Sequence, residues 1–151
     1  MHAFRKAIAL AGIAVAALLA STLPADAAGY NIGTGAYSRT TFEGRCEVTL
    51  GKAFCLWYSY SASESGIAYH AQQYGSVGIP NLNGYYFTGG GSGNGQAVRN
   101  NAAAMDCTVY VSNNCKTYYS PGYGGNYDWA EWGRGGRLHY TWNNEASYYV
   151  D

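Results

Sequence analysis

The ten residues Tyr118-Tyr119-Ser120-Pro121-Gly122-Tyr123-Gly124-Gly125-Asn126-Tyr127 constrain this chain more than any other stretch. Aromatic rings suit the pleated surface of a strand, whereas proline and glycine interrupt it and mark a turn. Gly122, Gly124 and Gly125 accept positive φ without strain, so the backbone can reverse sharply among them. The run therefore predicts a strand that enters a tight hairpin.

Period-two patterns recur along the chain. Phe54, Leu56, Tyr58 and Tyr60 fall on one face and Cys55, Trp57 and Ser59 on the other, predicting a half-buried strand. A serine-rich turn leads to a second candidate strand over 67–74. Val109 and Val111 alternate with Thr108 and Tyr110, and Leu138, Tyr140 and Trp142 with His139 and Thr141. The glycine-rich tract 89–95 predicts a mobile surface loop. Two similar passes are visible: Cys55-Leu56-Trp57-Tyr58 and Cys115-Lys116-Thr117-Tyr118 each open a hairpin, while Asn100-Asn101 and Asn143-Asn144 each close a unit. Helical periodicity is confined to one possible turn at 101–105. The expected fold is all-β, a small β-sandwich of two four-strand units.

His2, Arg5 and Lys6 precede an apolar run over 7–20, and Ala25-Asp26-Ala27 offers a small-x-small cleavage site, so residues 1–27 read as a secretory signal peptide. The run is too short to span a bilayer. Beyond it lie seven basic and eight acidic residues with no charged block, which argues against nucleic acid or an anionic membrane as partner. The remaining length suits one domain, expected to be a secreted monomer. Residues 28–44, rich in Gly, Thr, Ser and Tyr, read as a flexible N-terminal extension, and the domain itself as 45–151. Past residue 28 there are 23 aromatic side chains against 13 of Ile, Leu and Val. A core built mainly of aromatics is expected, with many tyrosines at the surface because each hydroxyl wants a partner or water.

Cys46, Cys55, Cys107 and Cys115 in an exported chain predict disulfides. Three pairings are possible. The two local bridges, Cys46 to Cys55 and Cys107 to Cys115, are preferred, each contributing roughly 2.5 kcal/mol on the chain-entropy model. A bridge between Cys107 and Cys115 would preorganise a short extended segment, as a protease inhibitor needs if it is to enter a cleft and stay in place after cleavage.

Enzyme chemistry finds little support, and the chain is expected not to be an enzyme. His70 and His139 lie in no recognisable metal or nucleophile motif. Asp128 and Glu131, beside Trp129 and Trp132, resemble a glycosidase pair only in spacing; the simpler reading is that they keep an aromatic hairpin soluble.

Tyr118 and Gly125, with Gly122 and Tyr123 between them, resemble the folded hairpin of the βγ-crystallin Greek key. Asn143-Asn144 with Ser147 is similar to that family's calcium-loop pattern, although Tyr148 stands where a second serine is usual. The resemblance implies two Greek-key motifs whose loops lie side by side. It also implies a weak calcium site from Asn100, Asn101, Asn143, Asn144 and Ser147, with Ala104 where the first loop should carry a hydroxyl. The competing reading is that these side chains cap the loops.

The leader, Phe54-Cys55-Leu56-Trp57-Tyr58, the stretch 95–103 and Asn143-Asn144-Glu145-Ala146-Ser147 together resemble the secreted actinobacterial metalloproteinase-inhibitor family, across roughly residues 46–150. That resemblance implies an inhibitory loop formed by Cys107, Thr108, Val109, Tyr110, Val111 and Cys115, cut near Cys107-Thr108 by an extracellular metalloprotease or serine protease. The alternatives are a calcium-binding structural or stress protein, and a carbohydrate-binding module stacking sugars on Tyr127, Trp129 and Trp132.

Overall fold

The computed structural model describes residues 26–40, 46, 54–61, 65–72, 78–108 and 114–151. The strand expectation for 109–111 and, but for its last two residues, the signal-peptide expectation for 1–27 lie outside these. Among the described residues ten strands follow one another: β1 (Gly29–Asn31), β2 (Ser38–Thr40), β3 (Phe54–Trp57), β4 (Tyr69–Gln72), β5 (Gly78–Ile79), β6 (Ala104–Cys107), β7 (Asn114–Ser120), β8 (Gly124–Glu131), β9 (Arg134–Arg137) and β10 (Ser147–Val150). They form two five-stranded sheets, ordered β1-β8-β7-β10-β5 and β2-β9-β6-β3-β4. The protein is all-β, as its alternation predicts.

Within each sheet a hairpin, β3-β4 or β7-β8, is joined antiparallel by the later strand of its own half, β6 or β10. The next place is taken by a strand from the other half: β9 lies beside β6, and β5 beside β10. Each half thus lends one strand to the opposite sheet, which interlocks the halves. The predicted hairpin of β7 and β8 turns at residues 121–123, where Gly122 has φ 70° and Tyr123 φ 65°.

One core fills the space between the sheets. Phe54 and Leu56 from β3, Met105 and Cys107 from β6, Cys115 from β7, Ala130 from β8, and Tyr148 and Val150 from β10 all belong to it. Its fully buried aromatics are Phe54, Phe87 and Tyr148, with Tyr30 and Tyr58 packed against them; the other described positions are Ala, Cys, Met and the scarce aliphatics, so the core is less aromatic than expected. The described tyrosines other than Tyr148 are half-buried or exposed, which keeps their hydroxyls near water. Cys107–Cys115 crosses from one sheet to the other, and Cys46–Cys55 closes the local loop before β3, as preferred from the sequence.

Several local expectations are corrected. Within 28–44, β1 pairs parallel with β8 and β2 antiparallel with β9, so these residues extend both sheets. All four residues of β3 are buried, because Cys46, Cys55, Trp57, Ile67 and Ala104 form a second cluster on its other face. The glycine tract is not loose: Ser92 exchanges backbone hydrogen bonds with Gly66 and Ala68, and Gly95 N–H donates to Phe87. Gly93, at φ 88°, lies so close beneath the Tyr58 ring that a Cβ would collide with it. The expected strand at 138–142 is a turn, and the strand comes earlier, at β9. Its glycines hid it from propensity, yet a Cβ on Gly135 would strike Met105 O and the Asp106 carboxylate, so close pairing with β6 requires glycine there.

The repeat is real in its second part and slipped by one residue in its first. Trp57 pairs with Ala104 as Tyr118 pairs with Ser147, so Phe54, not Cys55, is the counterpart of Cys115. A one-residue shift exchanges sheet faces. Cys115 accordingly faces the shared core and Cys55 the opposite side of its sheet.

Candidate functional site

The two asparagine loops meet where the halves interlock. Asn100 N–H donates to Glu145 O at 3.0 Å, and Asn143 N–H donates to Ala102 O at 2.8 Å, a reciprocal exchange. Asn101 N–H reaches Val98 O as Asn144 N–H reaches Thr141 O. Asn100 and Asn143 hold φ values of 65° and 53°, a left-handed conformation that asparagine tolerates better than most residues. Asn101 Nδ2 donates to Ala97 O and Arg99 O, and Asn144 Nδ2 to Trp142 O, so both amides brace their own loops.

Ser147 is placed differently from the calcium expectation. Its Oγ donates to Ser120 O at 2.7 Å and accepts from Tyr123 N–H at 3.1 Å, latching the folded hairpin to β10. Ala104 holds the matching position on β6 and has no hydroxyl to do the same. The side-by-side loops suit a shared ion, but the hydroxyl of the expected ligand set is committed to the hairpin, which leaves amide and backbone oxygens.

Glu145 was missed by the sequence reading. It is fully buried, and its Oε1 accepts from Asn101 N–H and Ala102 N–H at 3.0 and 2.8 Å, while Oε2 has no hydrogen-bond partner. Burial lifts its pKa from 4.5 to about 8, outweighing the backbone N–H bonds from residues 102 and 101, which favour the charged form. Burial likewise lowers His70 to about 4, beside the buried Tyr148 hydroxyl at 3.5 Å. Asp106 was missed too. It accepts from Trp57 Nε1 at 3.0 Å and pairs with Arg39, which ties β2 into its sheet. An acid inside the otherwise apolar Ala104-Met105-Asp106-Cys107 was the available signal.

The expected inhibitory segment has a rigid root. Cys107, Thr108 and Cys115 are fully buried, and Thr108 Oγ1 lies 3.8 Å from Cys46 Sγ, so the second disulfide backs the first. The bond between Cys107 and Thr108, where cutting was expected, therefore sits beneath the surface. Val109, Tyr110 and Val111 lie outside the described residues.

Asp128 and Glu131 are not brought together as a catalytic pair. Asp128 is buried and accepts four hydrogen bonds, from the N–H groups of His139, Tyr140 and Thr141 and from Thr141 Oγ1, which fixes the 139–141 turn. Glu131 is exposed. Of the rings expected to stack sugars, Trp132 is exposed and Tyr127 and Trp129 are half-buried, with Tyr127 meeting Tyr118 at 36°. No helix among the described residues is long and apolar enough to cross a membrane. Set against models of known families, curated proteins and solved structures, the chain finds no match.

Proposed function

We propose that this chain is a secreted peptidase-inhibitor-type domain, built as the two interlocked Greek keys of a βγ-crystallin-like sandwich. The exchange of β5 and β9 between sheets and the reciprocal asparagine loops support that architecture. Two disulfides favour an oxidising compartment outside the cytoplasm.

The observation that carries the inhibitor reading is the clamp. Cys107–Cys115 joins the two sheets at the root of residues 109–113, and the root packs through Thr108 onto the other disulfide. Such a base lowers the ordering cost of binding and holds both ends of a cut segment. On this reading Cys107, Thr108 and Cys115 are anchors, and residues 109–113 meet an extracellular metalloprotease or serine protease. Adding the mature protein at near-equimolar ratio to a thermolysin-like and a subtilisin-like protease should abolish the activity of at least one. Unimpeded hydrolysis by both overturns the proposal.

A second reading, a weak calcium site, is favoured by the adjacency of Asn100-Asn101 and Asn143-Asn144.

A further inference from the structure

Two neighbouring cavities open where the crossing loops meet the edge of the β2–β9 sheet. The larger, about 430 Å³, is walled by Tyr58, Tyr60, Ser59, Ser92, Asn101 and Asn143. The smaller, about 270 Å³, is walled by Tyr30, Tyr37 and His139. Arg137 and Trp142 belong to both and form the ridge between them. The Arg137 guanidinium lies 3.9 Å from the Trp142 ring centre and 5.5 Å from that of Tyr37. Among the described residues no carboxylate lines either cavity and no acid pairs with Arg137.

These walls have a specific chemistry. Trp142 is 44 % exposed, a large apolar ring beside a fixed positive charge. Ser59, Ser92 and Asn143 carry side-chain donors and acceptors that make no hydrogen bond among the described residues. The backbone N–H groups of Asn101, Ala103 and Asn143 are already used, by Val98 O, Trp57 O and Ala102 O, and are closed to an extended peptide. What the cleft offers is ring faces, hydroxyls, amides and one guanidinium. A saccharide presents apolar C–H faces and a rim of hydroxyls, and a uronate adds the carboxylate that arginine grips with two parallel hydrogen bonds.

We infer that this double cleft binds an acidic oligosaccharide, one sugar in each cavity, with Arg137 on a uronate carboxylate and Trp142 against a sugar face. The inference is independent of protease inhibition, which involves residues 109–113.

The test is titration of the mature protein with a galacturonate trisaccharide and, separately, its neutral galactose counterpart and an acidic tripeptide, followed by calorimetry and tryptophan fluorescence. The acidic sugar should bind at least tenfold tighter than either control. Trp142→Ala should weaken it at least tenfold. Asn143→Asp, which sets a carboxylate in the cleft at a φ that aspartate tolerates, should weaken the acidic sugar by a larger factor than the neutral one. Melting curves establish that each variant is folded, and if Trp142→Ala melts below the assay temperature, Asn143→Asp decides. Equal binding of acidic and neutral sugars, preference for the tripeptide, no binding at millimolar sugar, or undiminished binding by the folded variants overturns the inference.

Discussion

Glu145 makes the stability of this protein fall as the medium becomes more alkaline. Its folded pKa is raised from 4.5 to about 8, so the folded chain keeps a proton that the unfolded chain has released. Stability from this group is complete below pH 4.5 and is lost as pH rises through 8. His70 works in the opposite direction: lowered to about 4, it refuses a proton that the unfolded chain accepts below 6.5, so its contribution is present above 6.5 and is lost as pH falls through 4. The two oppose one another between pH 4.5 and 6.5, which leaves 6.5 to 8 as the window that isolates Glu145. At about 1.36 kcal/mol per unit, that window is worth about 2 kcal/mol. For a chain of this size the midpoint should fall by roughly 8 °C. Glu145→Gln keeps an oxygen for the amides of residues 101 and 102 but cannot titrate, and its own amide replaces the unpartnered Oε2. The variant should therefore stay flat from pH 6.5 to 8.5. Thermal melts of both proteins across that range are the assay. A wild-type midpoint that does not move, or a variant that falls in parallel with it, would refute the reasoning.

Other substitutions probe the remaining contacts. Ser147→Ala removes the hairpin latch and orphans Tyr123 N–H; chemical denaturation should register a loss of about 1–3 kcal/mol, and a change under 0.5 kcal/mol would count against the latch. Arg39→Ala leaves Asp106 buried without its cation and should cost about 3–5 kcal/mol, whereas Arg39→Ala with Asp106→Asn should recover much of it; failure of the double variant to recover stability would show that the pair is incidental. Calcium at ten times its Kd would stabilise the fold by about 1.4 kcal/mol. A midpoint rise that Asn144→Ala abolishes supports the ion reading, and no rise at millimolar calcium leaves the asparagines as loop braces.

The parts of the fold legible in the sequence are those set by local chemistry. Pro121 and its glycines specify the β7–β8 turn within a few residues, and cysteine spacing points to the two local bridges. Strand exchange is not local, and nothing in Gly78-Ile79 or Arg134-Gly135-Gly136-Arg137 marks them as strands of the opposite sheet. Glycine is depleted in strands on average, so a position where it is required for close approach looks like a loop. The asparagine pairs were found because the calcium-loop letter pattern recurs in both halves, and in each the first asparagine takes the left-handed conformation. Glu145 and Asp106 were not, since an isolated acid reads as a solvated side chain until its burial is known. Ser147 was singled out, but its hairpin latch was not foreseen, because a hydroxyl that latches a hairpin and one that ligates an ion are the same letter at nearly the same place.

The inhibitor proposal rests on a segment whose ends stay fixed when it is cut. After incubation with the inhibited protease, the recovered protein should be heavier by one water and intact without reductant. With reductant it should separate into two fragments whose new termini fall between residues 108 and 114. Recovery of uncut protein that never slowed the protease, or cleavage only outside Cys107 and Cys115, would contradict it.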